Sequence, residues 1–430
     1  MVKLMSANDD GVNVQDEDLF SSKLSNINWS FSTRRFTTPT KIYPFNCRKY
    51  HWYPATFIPE IPFTLIEVIS NSDAIIYDPF GGIGTTFFQS LFLQRLPITT
   101  EINSVAIMYM RALLQLINPK NDLNLIKRQI NDIIAGYSPE DEYGDESDLI
   151  PCIERLRPWY SEETFHPLCY LIIQSIGATN ENVRSALSLA ISANLQTLSN
   201  QDRGWGCIAD NVLPKQEQIK TKDPLSTIIN HCKGLFRDVT THLSLLGPSF
   251  DKHYKQVINR NSIINNNVKN KIDIENETVD LLITSPPYPN MADYTMSQRL
   301  SYYYLGIDIN RKENISPDDF EYEIGARRKR HKQIALDNYL KDMNQSNLNI
   351  ISKLKIGGIA CYILPEFSTR NTNDTKRTSI INRMISNLER VGGLKRINQF
   401  SRVLPSKRRH HNQKWATLEK ENIYIYRRVK

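Results

Sequence analysis

Long apolar runs are missing from this 430-residue chain: none approaches the ~18 residues that a membrane-crossing helix needs, so no transmembrane segment is expected. Metal-site and disulfide patterns are missing too. The six cysteines (Cys47, Cys152, Cys169, Cys207, Cys232 and Cys361) lie far apart, with no Cys-x-x-Cys and no histidine cluster beside them. A zinc site or a disulfide framework is therefore not expected, and reduced thiols in a cytoplasm fit best. Residues 1–18 are polar and acidic and lack the apolar core of a secretory signal; a mobile arm is the expectation there. There is no internal repeat. Charge of neither sign dominates, with a formal net of +7, and the 40% hydrophobic and 23% charged content is that of an ordinary soluble globular protein with ample core.

What charge there is, is bunched. Arg327-Arg328-Lys329-Arg330-His331-Lys332 and Lys407-Arg408-Arg409-His410-His411 are compact basic runs that suit a phosphate backbone, though alone they describe a solvated surface equally well. Four stretches organise the chain: an arm over 1–44, a cofactor-binding part over 45–117, a helical insert over 118–250, and a catalytic part over 251–430 with a basic segment at 311–335. Apolar spacing gives helices near 61–69, 85–93, 104–117, 122–135, 161–176, 181–197 and 224–246. Strands are expected at 74–77, 97–100, 256–258, 279–283 and 359–364. The helix over 337–354 is expected to stop at Gly357-Gly358. Trp159, Tyr160 and Trp205 read as core aromatics.

Two short loops carry the chemistry. In the first, the run Ala74–Tyr77 leads into Asp78-Pro79-Phe80-Gly81-Gly82-Ile83-Gly84-Thr85-Thr86. Gly82 and Gly84 remove Cβ atoms where a nucleoside must approach the backbone, and the following helix offers amide donors. Glu101, one strand later, is placed to accept hydrogen bonds from two ribose hydroxyls. A Gly-x-Gly pair alone is often only a tight turn; the Asp-Pro-Phe lead-in and the later Glu set this one apart. In the second, Leu281-Leu282-Ile283-Thr284 leads into Ser285-Pro286-Pro287-Tyr288. The exocyclic amine of cytosine or adenine is a poor nucleophile because its lone pair is conjugated into the ring. Ser285 and the Pro286 carbonyl are candidate acceptors for the amine protons, prolines Pro286 and Pro287 stiffen the turn, and Tyr288 offers a face on which a flipped base can stack.

Together these loops resemble the cofactor and catalytic motifs of the amino-methylating DNA methyltransferases, which use S-adenosylmethionine. The resemblance extends over about residues 45–428, sparsely through 110–200, and includes His51–Pro59, Trp205–Val212, Pro289–Thr295, Leu300–Gly306, Gly325–Arg328, Gly357-Gly358 and Ala416–Glu419, which are similar to one branch of bacterial modification methylases. It implies a Rossmann-like α/β fold with a mostly parallel seven-stranded sheet, helices on both faces and a helical insert. It also implies that Asp78, Phe80, Gly82, Gly84, Thr85 and Glu101 hold the cofactor, that Ser285, Pro286, Pro287 and Tyr288 hold and activate the base, and that Asp293 and Tyr294 line its pocket. Arg327, Arg328 and Arg330 are expected on the DNA.

Gly81 and Ile83 stand where the family commonly has Cys and Ser. Asn261 follows the strand expected at 256–258, where the family often carries Gly-Asp-Ser or Gly-Asp-Ala against the adenine; its side-chain oxygen is the candidate contact. The cofactor loop precedes the catalytic loop, a permutation relative to many Ser-Pro-Pro-Tyr enzymes. In the family a first-position Ser is associated with N4 of cytosine, and Asp or Asn with N6 of adenine. The expected activity is thus site-specific methylation of cytosine N4 in duplex DNA by base flipping, in a restriction–modification setting with a cognate endonuclease as genetic partner. A monomer or weak dimer is expected, with no metal and no membrane. N6-adenine methylation, RNA amino-methylation and a silent DNA-binding role stay open as alternatives. Pro151-Cys152 and Glu181-Asn182-Val183 echo cytosine C5-methyltransferase motifs, but no Gln follows Cys152 and Glu181 reads as a helix start, so Cys152 is taken as an ordinary thiol.

Overall fold

The computed structural model describes residues 12–31, 42–141, 150–200, 213–309, 323–329, 334–367, 372–390, 392–404 and 418–430. The chain runs through helices α1 (Glu17–Ser25) and α2 (Glu60–Ile69) into strand β1 (Ile75–Asp78), helix α3 (Thr85–Phe92), strand β2 (Leu96–Glu101) and helix α4 (Ser104–Leu116). Helices α5 (Leu123–Ala135), α6 (Ile153–Leu156), α7 (Glu162–Gly177), α8 (Glu181–Leu198), α9 (Pro224–Ser244) and α10 (Ser249–Asn259) precede strands β3 (Ile263–Asn265) and β4 (Val279–Thr284). Then come α11 (Tyr294–Ser297), α12 (Arg299–Tyr304), α13 (Ala335–Ile351), β5 (Leu354–Phe367), α14 (Thr372–Arg390), β6 (Leu394–Val403) and β7 (Leu418–Arg428).

The strands form one seven-stranded sheet in the order β3-β2-β1-β4-β5-β7-β6. Strands β3 to β5 across this order run parallel, and β7 pairs antiparallel with both β5 and β6. Its central strands are apolar on both sides because both faces are covered. Tyr77, Leu282, Tyr362 and Tyr426 pack on one face with α13 and α14. Their neighbours Ile76, Leu281, Ile283, Ile363 and Ile425 pack on the other with α1 and α2. This is the Rossmann-like methyltransferase architecture expected from the sequence. The helices of residues 118–250 join a third cluster: Leu113 of α4, Ile130 of α5, Leu171 of α7, Leu187 of α8 and Val239 of α9 share it. Trp159 and Tyr160 are buried there, while Trp205 and the run Lys407–His411 lie outside the described residues.

Two local expectations are corrected, and one helix was not expected. Residues 256–258 are the end of helix α10: Phe250, His253, Tyr254 and Val257 are buried at helical spacing, while Ile258 faces solvent. The helix expected to stop at Gly357-Gly358 ends at Ile351, and both glycines lie inside β5. There Gly357 adopts φ +82° and the β4–β5 register shifts, so the pair forms a strand irregularity. Helix α14 has no counterpart in the sequence reading; Ile380, Ile381, Met384, Ile385 and Leu388 give it a narrow buried stripe in an otherwise polar segment. Among the described residues, no helix is long and apolar enough to cross a membrane, and no group of three His, Cys, Asp or Glu side chains is placed to hold a metal ion. The five described cysteines, Cys152 included, are buried thiols outside any disulfide.

The turn after β1 is seated on β2. The Gly81 amide donates to the Thr100 carbonyl at 3.0 Å, and Thr99 Oγ1 donates to the Asp78 carbonyl at 2.9 Å. A Cβ on Gly81 would lie 1.9 Å from Thr99 Oγ1, so a larger residue at this position, such as the Cys common in the resembled family, would require Thr99 to move. Gly81→Ala is expected to lower stability by about 1–3 kcal/mol, and much less in a Thr99→Ala background where the opposing hydroxyl is gone. Urea unfolding of the two singles and the double checks this; additive losses would contradict the contact.

Candidate active site

Sheet order reverses between β1 and β4, so the loops leaving their carboxyl ends splay apart above a crevice, the position where open α/β sheets bind ligands. Thr284 Oγ1, at the end of β4, donates to Asp78 Oδ1, at the end of β1, at 2.9 Å. Above this joint lies an open cleft of about 820 Å³, lined from the first loop by Pro79, Phe80, Gly81, Gly82 and Thr85. The same cleft takes Glu101, Ile102 and Asn103 from the end of β2, and Ser285 and Pro287 from the second loop. Tyr53, Pro54, Ala55, Thr56 and Phe57, from the segment before α2, close one side.

The first loop is organised around Glu101. Its Oε2 accepts from the Gly82 amide at 2.6 Å, and its Oε1 accepts from the Ile102 and Asn103 amides at 2.8 and 2.9 Å. Burial pushes this carboxyl up, against the pull of those amides. A carboxylate has about four acceptor positions, so three donors leave it capacity for a ligand hydroxyl. Gly82 takes φ +51°, and a Cβ there would sit 3.4 Å from the Tyr53 ring, in the cleft. The Asn103 side chain caps α4 through its oxygen, leaving its buried Nδ2 without a partner at the cleft wall. A cradle that a Cβ would fill, a carboxylate with spare acceptor capacity and an orphaned amide donor fit a ribose and adenine.

Two expected cofactor residues stand back from the cleft. Gly84, at φ +81°, is needed for packing: a Cβ would meet Phe88 and Met110 at 2.9 and 3.0 Å. Asp78 sits in the joint below the cleft, where its Oδ1 accepts from Thr284 and from the Phe80 amide at 3.1 Å. Asn261 is corrected. It is exposed, with φ +48°, in the turn that ends α10, because the strand expected before it is a helix. The strand is β3, two residues later, and the residues at its end, Asn266, Asn267 and Val268, line the cleft. An Ile-Ile pair running into Asn265-Asn266-Asn267 was the available signal.

In the second loop, Ser285 is half-buried and lines the cleft, and Tyr339 Oη donates to the Pro287 carbonyl at 3.0 Å, fixing the turn. Pro286 is buried. The stacking role expected of Tyr288 is corrected: its ring is buried, and its hydroxyl is held on the side of the sheet by Glu421 of β7 at 3.3 Å. The aromatic residues on the cleft are Tyr53, Phe57, Phe80 and Tyr294, and the ring centroids of Tyr53 and Tyr294 are 5.8 Å apart.

The basic segment is more committed than expected. The Arg328 guanidinium bridges Asp293 and Glu323, and its backbone amide donates to Asp293 Oδ1 at 2.8 Å. Arg328 is therefore engaged within the protein, Asp293 faces that arginine, and Tyr294 lines the cleft. Glu323, not foreseen from the sequence, is buried at the cleft and also accepts from the Tyr294 amide. Burial pushes its carboxyl up, against Arg328. The Arg327 amide donates to the Ala292 carbonyl at 3.0 Å, and Arg330 lies outside the described residues.

The chain is 26% identical to the Type II methyltransferase M.MvaI of Kocuria varians over 325 residues, 71% of this chain and 67% of that protein. No protein-family model matches it. A solved rRNA methyltransferase, aviRa of Streptomyces viridochromogenes, overlays 88% of this chain and 87% of its own at 8% identity with a TM-score of 0.30. At that level the overlay carries no weight, and the fold rests on the strand order.

Burial at the β1–β4 joint pushes the Asp78 carboxyl up from 3.8 to about 6. The folded protein thus holds the Asp78 proton more tightly than the unfolded chain does. The resulting stability is full below about pH 4 and is lost as pH rises through about 6. Between these limits the native protein is expected to lose about 1–3 kcal/mol relative to Asp78→Asn. Urea midpoints for both proteins near pH 4.5 and near pH 8 measure this; parallel slopes would contradict it.

Proposed function

We propose that this S-adenosylmethionine-dependent methyltransferase transfers its methyl group to the exocyclic amino nitrogen of a flipped base in duplex DNA, and that the base is cytosine, modified at N4. The observation that carries the reading is that Ser285 and Pro287 line the same cleft as Gly82 and Glu101, so one cavity holds both an amine-acceptor loop and a nucleoside cradle. The likeness to a Type II methyltransferase supports it. A restriction–modification setting with a cognate endonuclease belongs to the same proposal, as does target reading by the segments 118–250 and 311–335.

Bound S-adenosylmethionine supplies an electrophilic methyl on a sulfonium. Glu101 takes the ribose hydroxyls, Asn103 Nδ2 offers a donor to the adenine side, and Phe80, Ile102 and Val268 supply apolar walls. Ser285 Oγ and the Pro286 carbonyl accept hydrogen bonds from the two amine protons, which turns the nitrogen lone pair out of conjugation and toward the methyl; one of those protons then passes from the methylated nitrogen to solvent in the open cleft. The prolines hold these acceptors in place before the base arrives, so little reorganisation accompanies the reaction. Tyr53 and Tyr294 give the flipped base flat faces, worth about 1–3 kcal/mol per stacked base. Ser285 favours cytosine through the family association of a first-position Ser with N4.

DNA from an expression host lacking its own methylases, examined by single-molecule sequencing and nucleoside mass spectrometry, is expected to carry 4-methylcytosine at one recurring motif. A 6-methyladenine signal would overturn the base assignment, and methyl transfer confined to RNA would overturn the DNA assignment. Ser285→Ala is expected to slow single-turnover transfer by about 10²-fold while leaving cofactor affinity unchanged. Glu101→Ala is expected to weaken S-adenosylmethionine binding by about 10- to 100-fold in calorimetry, the loss of a charge-assisted hydrogen bond to the ribose.

A further inference from the structure

A chain of hydrogen bonds starts at the cleft and ends on a buried ion pair that the reaction, as described above, does not use. Ser285 Oγ donates to Tyr288 Oη at 3.2 Å, and Tyr288 Oη donates to Glu421 Oε1 at 3.3 Å. Glu421 Oε2 accepts from Arg402 Nη1 at 2.8 Å. Glu421 and Arg402 are directly opposed across β7 and β6, and both are nearly excluded from solvent, at 7% and 2% exposure. A buried ion pair of this kind is seldom the most stable filling for its space; apolar side chains of the same volume do as well or better. Its neighbours on β7, Ile423 and Ile425, are apolar, so the pair stands out as a charge placed against the sheet beside the second loop.

The direction of the chain is fixed by its far end. An ionised carboxylate only accepts, so the Tyr288 hydroxyl must spend its proton on Glu421, and its oxygen is left to accept from Ser285. Burial next to Glu421 pushes the Tyr288 hydroxyl well up, which keeps that proton in place. Ser285 in turn spends its proton on Tyr288, and its lone pairs are left for the cleft. Without this chain a serine hydroxyl is as ready to donate as to accept, and a donor pointed at an amine opposes the chemistry.

We propose that Glu421, held by Arg402, is a positioning residue for methyl transfer: acting through Tyr288, it sets Ser285 as a hydrogen-bond acceptor toward the target amine. The inference rests on the amino-methylation reading above. It assigns the tyrosine hydroxyl, and not its ring, a part in the reaction, and it assigns strand β7 a link to the second loop.

The test is a coupling experiment on the full chain, with single-turnover transfer to unmethylated DNA, cofactor and DNA affinities, and thermal midpoint all measured. Tyr288→Phe keeps the ring and the ion pair and removes only the link; it is expected to slow transfer by about 10- to 100-fold with affinities and midpoint unchanged. In a Ser285→Ala background the same replacement is expected to have no further effect, because the hydroxyl it orients is gone. Glu421→Gln is expected to behave alike. Should it fail to fold once this ion pair is lost, the joint replacement Arg402→Met with Glu421→Leu removes both charges and gives the same readout. A transfer rate in Tyr288→Phe equal to the unaltered protein, or an equal loss with and without Ser285, would overturn the inference alone. An unaltered protein that binds cofactor but methylates no DNA would overturn the underlying reading, and the inference with it.

Discussion

The hydrogen bond from Thr284 to Asp78 ties together the last residues of two neighbouring parallel strands, and both functional loops hang from that joint. Parallel strands deliver their outgoing loops to the same edge of the sheet, and reversal of strand order between β1 and β4 is what opens a crevice between them. Burial of an aspartate at this place is unfavourable for its charge, and the donors aimed at it, from Phe80 and Thr284, hold it there. The glycine turn is then pressed onto β2 through Gly81 and Thr100, which brings Glu101 under the Gly82 amide. Each step is local, and each depends on the one before it.

That dependence explains what was legible in the sequence. The first loop was readable because its chemistry lies within one strand–turn–helix–strand unit, where Gly82, Thr85 and Glu101 are positioned by neighbours a few residues away or across one strand pair. Ser285 and Pro287 were readable for the same reason. Asn261 was misplaced because Val257 and Ile258 are β-branched and look like a strand; tertiary packing of Phe250, Tyr254 and Val257 decides for helix, and Ile258 is left exposed at 44%. The orientation of Tyr288 and the engagement of Arg328 were not readable at all. The first is set by a carboxylate 133 residues away, and the second by a glutamate and an aspartate brought together only when the loops after β4 and before α13 meet. Long polar helix α14 shows a further limit: a stripe of five buried side chains in nineteen residues is too thin for periodicity to reveal.

Acidic residues do unexpected work around the cleft. Glu101 gathers three backbone amides, Glu323 joins a loop amide to Arg328, and Glu421 joins a tyrosine to Arg402. In a chain whose net charge is positive, these carboxylates are the organising centres of the site, while the arginines beside them act as internal fasteners.

The strand order also bears on how the protein is made. Strand β1 is complete once residue 78 leaves the ribosome, yet its partner on one side, β4, does not arrive until residue 279. At synthesis rates of about 5–20 residues per second, the nascent chain carries a central strand, Ile75–Asp78, paired on its β2 side and open on its β4 side for tens of seconds. Helices α3 to α10 emerge during that interval and bury their own apolar cluster, so the first half has something to fold upon while the open edge waits. The long helical segment between the loops thus carries an apolar cluster that closes within the first part of the chain, before the strand that completes the centre of the sheet is made.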